Sequence, residues 1–525
     1  MTDQRQQLHN ELWNIANILR GNMGADEFRD YILGFIFFKF LSERMESFAN
    51  DILEGEEFNY RDLTSDNKTA KDALDVIQKE SIEALGYFIA PGQLFSTFAE
   101  TASTADVQHS SLLENLEQTF NAIEMSTFDS DSKEDFDKLF EDIELGSSRL
   151  GSSTSDKTKL IAKVLVSLNK LDFDIDNPET DILGDAYEYL ISQFASGAGK
   201  KAGEFYTPKE VSTILAKVVT IGKDKINAAY DPTCGSGSLL LRVNEVLKST
   251  SEQQLPVRMI YGQEMNRTTF NLARMNLLMH GRPYKFFDIK HGNTLESPEH
   301  GTQLFDAIVA NPPFSAKWSA DPLIDGAERF TPYGKMAPTS KADYAFITHM
   351  LHHLHPKDGI LAVVLPHGAL FRGAAEGHIR KHIIEECNWL DAVIGLPSNI
   401  FYGTSIPSCI MVFKKNRNYN DAVLFIDASN EFEKQKNQNY LKAEHIDKIV
   451  QTYRDREELD KYSYNANLDE IREKDYNLNI PRYVDTFEEE EPVNLKAVQA
   501  EIKEIDAELA KVEEELDGYL KELGL

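Results

Sequence analysis

Cysteine is scarce in this sequence: three among 525 residues, Cys234, Cys387 and Cys409, with no Cys-x-x-Cys pair. That spacing excludes a disulfide framework and a cysteine zinc site, and it fits a reducing compartment. Long apolar runs are missing as well. The longest, Tyr31 to Leu41, is short and interrupted by Lys39, and the opening MTDQRQQLHN has no basic segment followed by an apolar one. A soluble, cytoplasmic chain without a membrane role is expected. Positive charge is the third shortage. The 55 Lys and Arg face 86 Asp and Glu, a formal charge of −31, which opposes non-specific attraction to a phosphate backbone. A chain like this that handles nucleic acid needs a local basic groove or a partner.

What is present is enough apolar residue for globular folding, 42%, in a chain too long for one core; about three structural units are expected. From residue 8 to about 170 the periodicity is helical, as in DEFRDYILGFIFFKFLSERMESF, where Phe28, Ile32, Phe35 and Ile36 share a face and Phe37 and Phe38 fall on others. A helix buried on more than one side is expected there. From about 180 to 430 the segments RMIYGQE, LFDAIVA, GILAVVLP, LDAVIGLP, SCIMVFKK and AVLFID alternate with amphipathic stretches, the texture of an open α/β sheet with helices on both faces. After FEEEEP, apolar residues recur from Leu495 through Val498, Ile502, Ile505, Leu509, Val512 and Leu516 to Tyr519 and Leu523. This is a coiled-coil seam, and an interaction helix is favoured over one that packs back on its own domain. The expected domains are a helical region at 1–165, an α/β domain at 166–480 and a helical tail at 481–525.

Ligands of open α/β sheets bind at the carboxyl ends of the strands, and two unusual loops are placed there. NAAYDPTCGSGSLLL puts Asp231 at a strand end and Gly235-Ser236-Gly237 before a helix, so the backbone can approach a ligand closely. Leu240 occupies the third small position of a dinucleotide fingerprint and no Gly-Lys-Ser/Thr follows; a nucleoside without phosphates fits better than a pyrophosphate. A plain strand-to-helix turn is the alternative. The next strand ends in Glu264, a carboxylate able to accept from both ribose hydroxyls, or simply a surface acid opening a helix. Upstream, GAGKKAGEFYTPKEV offers Thr207 as an N-cap, Pro208 at the first helical position and Glu210 as capping carboxylate. That leaves the aromatics Phe205 and Tyr206 for a ligand.

The second loop is Asn311-Pro312-Pro313-Phe314, ending the apolar strand FDAIVA. Two prolines remove two donors and fix φ, so the Asn amide and two carbonyls are held as acceptors beside an aromatic ring. Acceptors of that kind can bind both N–H bonds of an adenine amino group and localise its lone pair as a methyl group is attacked. The histidines of THMLHHLHP (His349, His352, His353, His355) point several ways on one predicted helix and lack nearby acids; no metal is expected.

With EFYTP, DPTCGSGSLLL, GQE and NPPF in this order, the chain resembles the modification subunits of type I restriction–modification systems, which are amino-group adenine DNA methyltransferases. The likeness extends to DYILGFIFFKFLSERM, KADYAFITHMLHHLHPKDGILAVVLPHGALFRG and IPSCIMVFKK. It implies a Rossmann-like, doubly wound S-adenosylmethionine-dependent fold flanked by the helical N-terminal domain and the tail. By the same resemblance, the cofactor would contact Glu204, Phe205, Tyr206, Thr207, Pro208 and Lys209, and Asp231, Pro232, Thr233, Gly235, Ser236, Gly237 and Ser238. Glu264 would hold the ribose and Asn293 would lie near the adenine, a position where many relatives carry Asp. Asn311, Pro312, Pro313 and Phe314 would be catalytic. The implied partners are double-stranded DNA, a specificity subunit clasped by two modification subunits, and a restriction/translocase subunit. Lys200 and Lys201, or Lys414, Lys415 and Arg417, are candidate DNA contacts. A protein-glutamine methyltransferase, whose amide substrate resembles the adenine edge, and a non-catalytic cofactor-sensing scaffold are the alternatives.

Overall fold

The chain up to Leu168 folds into helices, the longest Ala25–Ile52, and no strand precedes residue 226 among the described residues. The computed structural model describes residues 2–20, 25–56, 58–64, 68–104, 111–173, 182–197, 207–249, 255–321, 323–324, 326–401, 404–417, 422–435, 438–486 and 495–522. Helix Ala25–Ile52 is buried on more than one side: Phe28, Ile32, Phe35, Ile36, Phe37 and Phe38 are all buried. Phe38 meets the rings of Phe95, Phe98 and Phe120 edge-on at 5.7, 6.0 and 5.2 Å, the geometry that aromatic quadrupoles favour. Lys39, the charge that interrupts the apolar run, pairs with Glu43 and lies 4.4 Å from the Phe173 ring centroid. Burial pushes its ammonium pKa down to about 8.

The rest of the first unit is built on a nine-stranded sheet. Its strands are β1 (Ile226–Asp231), β2 (Val257–Glu264), β3 (Phe287–His291), β4 (Ala307–Ala310), β5 (Ile360–Pro366), β6 (Leu390–Gly395), β7 (Ser408–Phe413), β8 (Val423–Asp427) and β11 (Ser463–Ala466); β9 (Glu433–Lys434) and β10 (Asn439–Tyr440) form a separate ribbon. The order is β11-β8-β6-β7-β5-β4-β1-β2-β3. Pairs β1–β2, β2–β3, β1–β4, β4–β5 and β6–β8 are parallel, whereas β7 runs antiparallel between β5 and β6, and β11 antiparallel to β8. Central strands β4, β5, β6 and β7 are buried at every position, as expected where both faces are covered by helices. The chain goes out from β1 to β3 and returns to β4 on the other side of β1. The crevice between the ends of β1 and β4 is therefore a topological switch point, where ligands of such sheets bind.

Asp391, in β6, is fully buried. It accepts from Tyr453 Oη at 2.8 Å and lies 3.0, 3.3 and 3.5 Å from Lys414, Arg456 and Arg417. These cations outweigh its desolvation and hold its pKa below the ordinary carboxylate value. Lys414 and Arg417 are thus committed to a buried acid, which corrects their reading as free DNA contacts. Lys415 lies 5.2 Å from the Trp389 ring centroid and is half-buried.

Residues 485–525 form a second compact unit. Helix Leu495–Glu522 carries the expected seam up to Tyr519, Leu523 lying outside the described residues, and Ile502, Ile505, Leu509, Val512, Leu516 and Tyr519 are 51 to 64% exposed. No described helix is long and apolar enough to cross a membrane.

Asp391→Ala strands three cations around an empty site. A loss of about 3–5 kcal/mol is expected in urea unfolding. Because Asp391 has a depressed folded pKa, its contribution in the native protein should be present at neutral pH and fall away as pH drops through that pKa.

Candidate active site

Asp231 closes β1, and the chain then turns through Thr233–Gly237 into helix Ser238–Lys248. Gly235 and Gly237 take φ of +54° and +76°, a region that glycine enters without steric cost. The turn is held from several sides. Cys234 N–H donates to Gln263 O (3.1 Å), Gly237 N–H to Cys234 O (2.8 Å) and Asn276 Nδ2 to Ser236 O (2.9 Å). Thr294 Oγ1 donates to Pro232 O at 2.6 Å. Ser236 and Ser238 hydroxyls are 2.9 Å apart.

Two carboxylates flank this turn. Asp231 Oδ1 accepts from Thr233 N–H at 2.9 Å, while Oδ2 is buried and has no partner. Burial pushes the Asp231 pKa up to about 8; the Thr233 N–H bond opposes the shift and the neighbouring Glu264 charge adds to it. Glu264, at the end of β2, accepts from Gly235 N–H (3.0 Å) and Asn266 N–H (2.8 Å) through separate oxygens. Its pKa is also raised by burial, against those backbone donors. Glu264 therefore both fixes the glycine turn and retains lone pairs for further donors. Asn293 follows β3, and its Oδ1 accepts from Leu295 N–H at 3.1 Å, which makes it a turn residue in this structure.

β4 ends at Ala310 and the chain enters Asn311-Pro312-Pro313-Phe314. Asn311 Nδ2 donates to Thr207 Oγ1 at 3.1 Å, and Asn311 Oδ1 is buried with no partner. This corrects the capping reading of Thr207. Helix Lys209–Thr220 has Pro208 at its N-cap position and no side-chain cap; the threonine hydroxyl faces the asparagine instead. Pro208 is buried and Lys209 exposed. Phe314 is half-buried and meets Phe401 edge-on at 6.0 Å. Past it, Ser315 N–H donates to Asp343 Oδ1 at 2.9 Å, and Arg372 bridges Asp343 and Glu376.

The structure thus brings Thr207, Asp231 to Ser238, Glu264 and Asn311 to Phe314 to one edge of the sheet. Glu204, Phe205 and Tyr206, with Lys200 and Lys201, lie outside the described residues. Asn276, Thr294, Asp343 and Arg372 were not found from the sequence: each pairs across a long separation, and only the charged Asp343 heading the apolar helix Asp343–His353 hints at a role. The histidines are packing residues. His349 accepts from Arg329 Nη1 at Nδ1 (2.8 Å) and so donates from Nε2–H to Tyr230 Oη (3.0 Å), and burial lowers its pKa well below the ordinary value. Among the described residues no group of His, Cys, Asp and Glu could hold a metal ion.

Residues 178–492 match the N-6 DNA Methylase family and residues 8–168 the HsdM N-terminal domain. This chain belongs to the N-6 DNA methylases, among the methylase subunits of type I restriction enzymes. It is 37% identical to the type I restriction enzyme MpnII methylase subunit of Mycoplasma pneumoniae, over 96% of this chain and 94% of that protein. To the MjaVII methylase subunit of Methanocaldococcus jannaschii it is 34% identical, over 78% of this chain and 70% of that one. The crystal structure of the type I restriction-modification methyltransferase subunit from Streptococcus thermophilus superposes with a TM-score of 0.82 at 43% identity, covering 92% of this chain and 100% of the other. The N-6 DNA methylase is thus a site-specific adenine DNA methyltransferase that uses S-adenosylmethionine, on an α/β fold with a helical N-terminal region.

A Cβ on Gly262 of the methylase would lie 2.8 Å from Ile289 Cδ1 and 2.9 Å from Cys234 Sγ. Gly262→Ala is therefore expected to lose about 1–3 kcal/mol and to disturb the turn at Cys234. Thermal denaturation with and without S-adenosylmethionine should show a lower Tm and a smaller cofactor-induced rise than in the native protein.

Proposed function

We propose that the crevice between β1 and β4 transfers a methyl group to the N6 of an adenine turned out of double-stranded DNA. Asn311 and the Pro312 carbonyl serve as acceptors and Phe314 as the stacking platform. The observation that carries this reading is the unpartnered, buried Asn311 Oδ1, whose amide is oriented by donation to Thr207. A buried acceptor without a donor costs about 1–3 kcal/mol, so a ligand N–H in that position removes a standing penalty.

The cofactor-facing residues fit S-adenosylmethionine by the same test. Asp231 Oδ2 is a second buried oxygen without a partner, an acceptor for the amino acid's ammonium once the carboxyl gives up its proton. Glu264, anchored to the backbone of the glycine turn, is suited to the ribose hydroxyls. The bound cofactor supplies an electrophilic methyl group. Adenine N6 is a poor nucleophile because its lone pair is delocalised into the ring. Acceptance of its two N–H bonds by Asn311 Oδ1 and the Pro312 carbonyl localises that pair toward the methyl group. Proline stiffness keeps both acceptors in place, so little reorganisation accompanies the attack. As the N–C bond forms, the methyl–sulfur bond would break with its electron pair left on sulfur; the N6 proton becomes acidic only then and is lost to solvent, so no base has to act beforehand. Extruding the adenine costs a few kcal/mol, which DNA contacts must supply.

Sequence recognition belongs to a separate specificity subunit clasped by two copies of this chain, a restriction/translocase subunit completes the assembly, and methylation protects host DNA. In this arrangement 1–165 is the helical domain, 166–480 the methyltransferase domain and 481–525 the tail, whose exposed seam suits the helices of the specificity subunit. Glu204 to Tyr206, Asn293 and the other implied contacts would complete the cofactor and base pockets. A glutamine methyltransferase would modify a protein amide instead.

In the assembled complex, Asn311→Ala is expected to bind cofactor and duplex DNA with native affinity yet lose methylation by at least about 10²-fold in kcat, on the scale of lost transition-state donors or acceptors. Thr207→Val should lower kcat by on the order of 10²-fold through misorientation of Asn311, with Thr207→Ser close to native. Tritium transfer to duplex DNA, against a protein amide substrate, checks both and separates the two substrate classes.

Asp231 supplies a pH signature. With its pKa near 8, it is largely protonated at pH 7, and a cation at Oδ2 expels the proton. Binding of S-adenosylmethionine at pH 7 should release about one proton, and its Kd should fall by up to about tenfold per pH unit between pH 6 and 8. Because the folded pKa lies above the unfolded value, the carboxyl's contribution to cofactor-free stability is present in acid and lost as pH rises toward 8. Calorimetry in buffers of different ionisation enthalpy checks the proton count, which Asp231→Asn should reduce to near zero.

A further inference from the structure

A second polar cavity, of about 620 Å³, lies beyond the carboxyl end of β5, where three distant segments meet. The strap after the Asn-Pro-Pro-Phe loop contributes Lys335, helix Ala374–Glu385 contributes His378 and Lys381, and the segment after helix Leu468–Glu473 contributes Lys474 and Arg482. Arg380 at its base donates to Tyr476 O (2.7 Å) and Arg372 O (3.0 Å), neutral carbonyls that leave its charge intact. The acids of the lining are Glu473 and Asp475. The lining therefore carries a positive excess in a chain of formal charge −31. Lys474 is paired with Glu470. Lys335, Lys381 and Arg482 are exposed, and no described carboxylate lies within ion-pair distance of them.

The cavity is tied to the Asn-Pro-Pro-Phe loop by packing. Ser315 N–H donates to Asp343, Asp343 pairs with Arg372, and Arg372 pairs with Glu376 on the helix that carries His378 and Lys381. On the other side the strap rests on that helix: Tyr333 meets His382 edge-on at 5.4 Å, and a Cβ on Gly334 would lie 2.9 Å from His378 Nε2. β4 and β5 are parallel neighbours, so the cavity opens on the same edge of the sheet as Asn311.

We propose that this cavity holds a backbone phosphodiester of the DNA and so anchors the duplex beside the extruded adenine. Lys335, Lys381 and Arg482 neutralise the phosphate. The inference rests on the reading of duplex DNA as substrate and adds the site that an acidic chain needs to hold it. Contacts of this kind position the duplex without reading its sequence. Each neutralised phosphate releases a counterion, which makes binding depend on salt.

The test uses the full chain assembled with its specificity partner on duplex DNA containing the methylated site. Lys335→Glu, Lys381→Glu and Arg482→Glu are each expected to raise the DNA Kd about tenfold near physiological salt, and Lys381→Gln to lower the slope of log K against log salt by about one. S-adenosylmethionine affinity should stay native. Neutral methylphosphonate links, placed one at a time, should reveal a phosphate whose replacement weakens the native complex and leaves Lys381→Gln unaffected. Unchanged DNA affinity and salt slope in variants that still bind cofactor would overturn the cavity assignment while leaving the methyl-transfer reading intact. Absence of adenine methylation by the native complex would overturn that reading and the anchor with it.

Discussion

One hydrogen bond, from Asn311 Nδ2 to Thr207 Oγ1, decides what this site can do. A primary amide can face either way, and its two ends have opposite hydrogen-bonding character. Once the nitrogen is engaged by Thr207, the oxygen is the end left over, buried and without a partner. The sheet makes that bond possible. Helix Lys209–Thr220, which follows Thr207, packs on β4 and β5, and Asn311 follows β4 directly. The prolines then prevent the loop from relaxing toward an alternative set of donors.

Charge is arranged on the same principle of prior commitment. Asp391 engages Lys414, Arg417 and Arg456 inside the fold, and Arg329 serves the carbonyls of Thr294 and Leu295. Basic residues of this kind organise loops and strands and are unavailable to a polyanion. The few cations left open at the rim then matter more than their number suggests, because the remaining field of the molecule repels DNA. The proposed delegation of target reading to a specificity subunit suits such a surface.

Much of this was legible in the sequence because it is local. The Gly235-Ser236-Gly237 turn, the proline-ended strand at Asn311, and the helix with Phe28 to Phe38 are each coded within a few residues of one another, so periodicity and turn chemistry reveal them. What escaped depends on partners far along the chain. Thr207-Pro208-Lys209-Glu210 satisfies the pattern of a helix cap, yet the hydroxyl faces a residue 104 positions away. Lys414 to Arg417 reads as a basic cluster until β6 places Asp391 beside it. Strands β3 and β11 were missed because they form the two edges of the sheet and are only partly buried, with Asp288, Lys290 and His291 in one and Tyr464 and Asn465 in the other breaking the apolar run, and such strands carry the weakest apolar signal.

The reversed direction of β7 shapes the site as well. Parallel neighbours must be joined by a crossover that returns the chain to the opposite end of the sheet. An antiparallel β7 starts where β6 ends, so residues 396–401 and 404–407 stay at the carboxyl edge as an extra wall, from which Phe401 reaches Phe314. Such a wall is a hairpin connection rather than part of the cofactor framework. Its length and side chains can change without disturbing β1 or β4, so the shape of the wall beside Phe314 is set independently of the glycine turn.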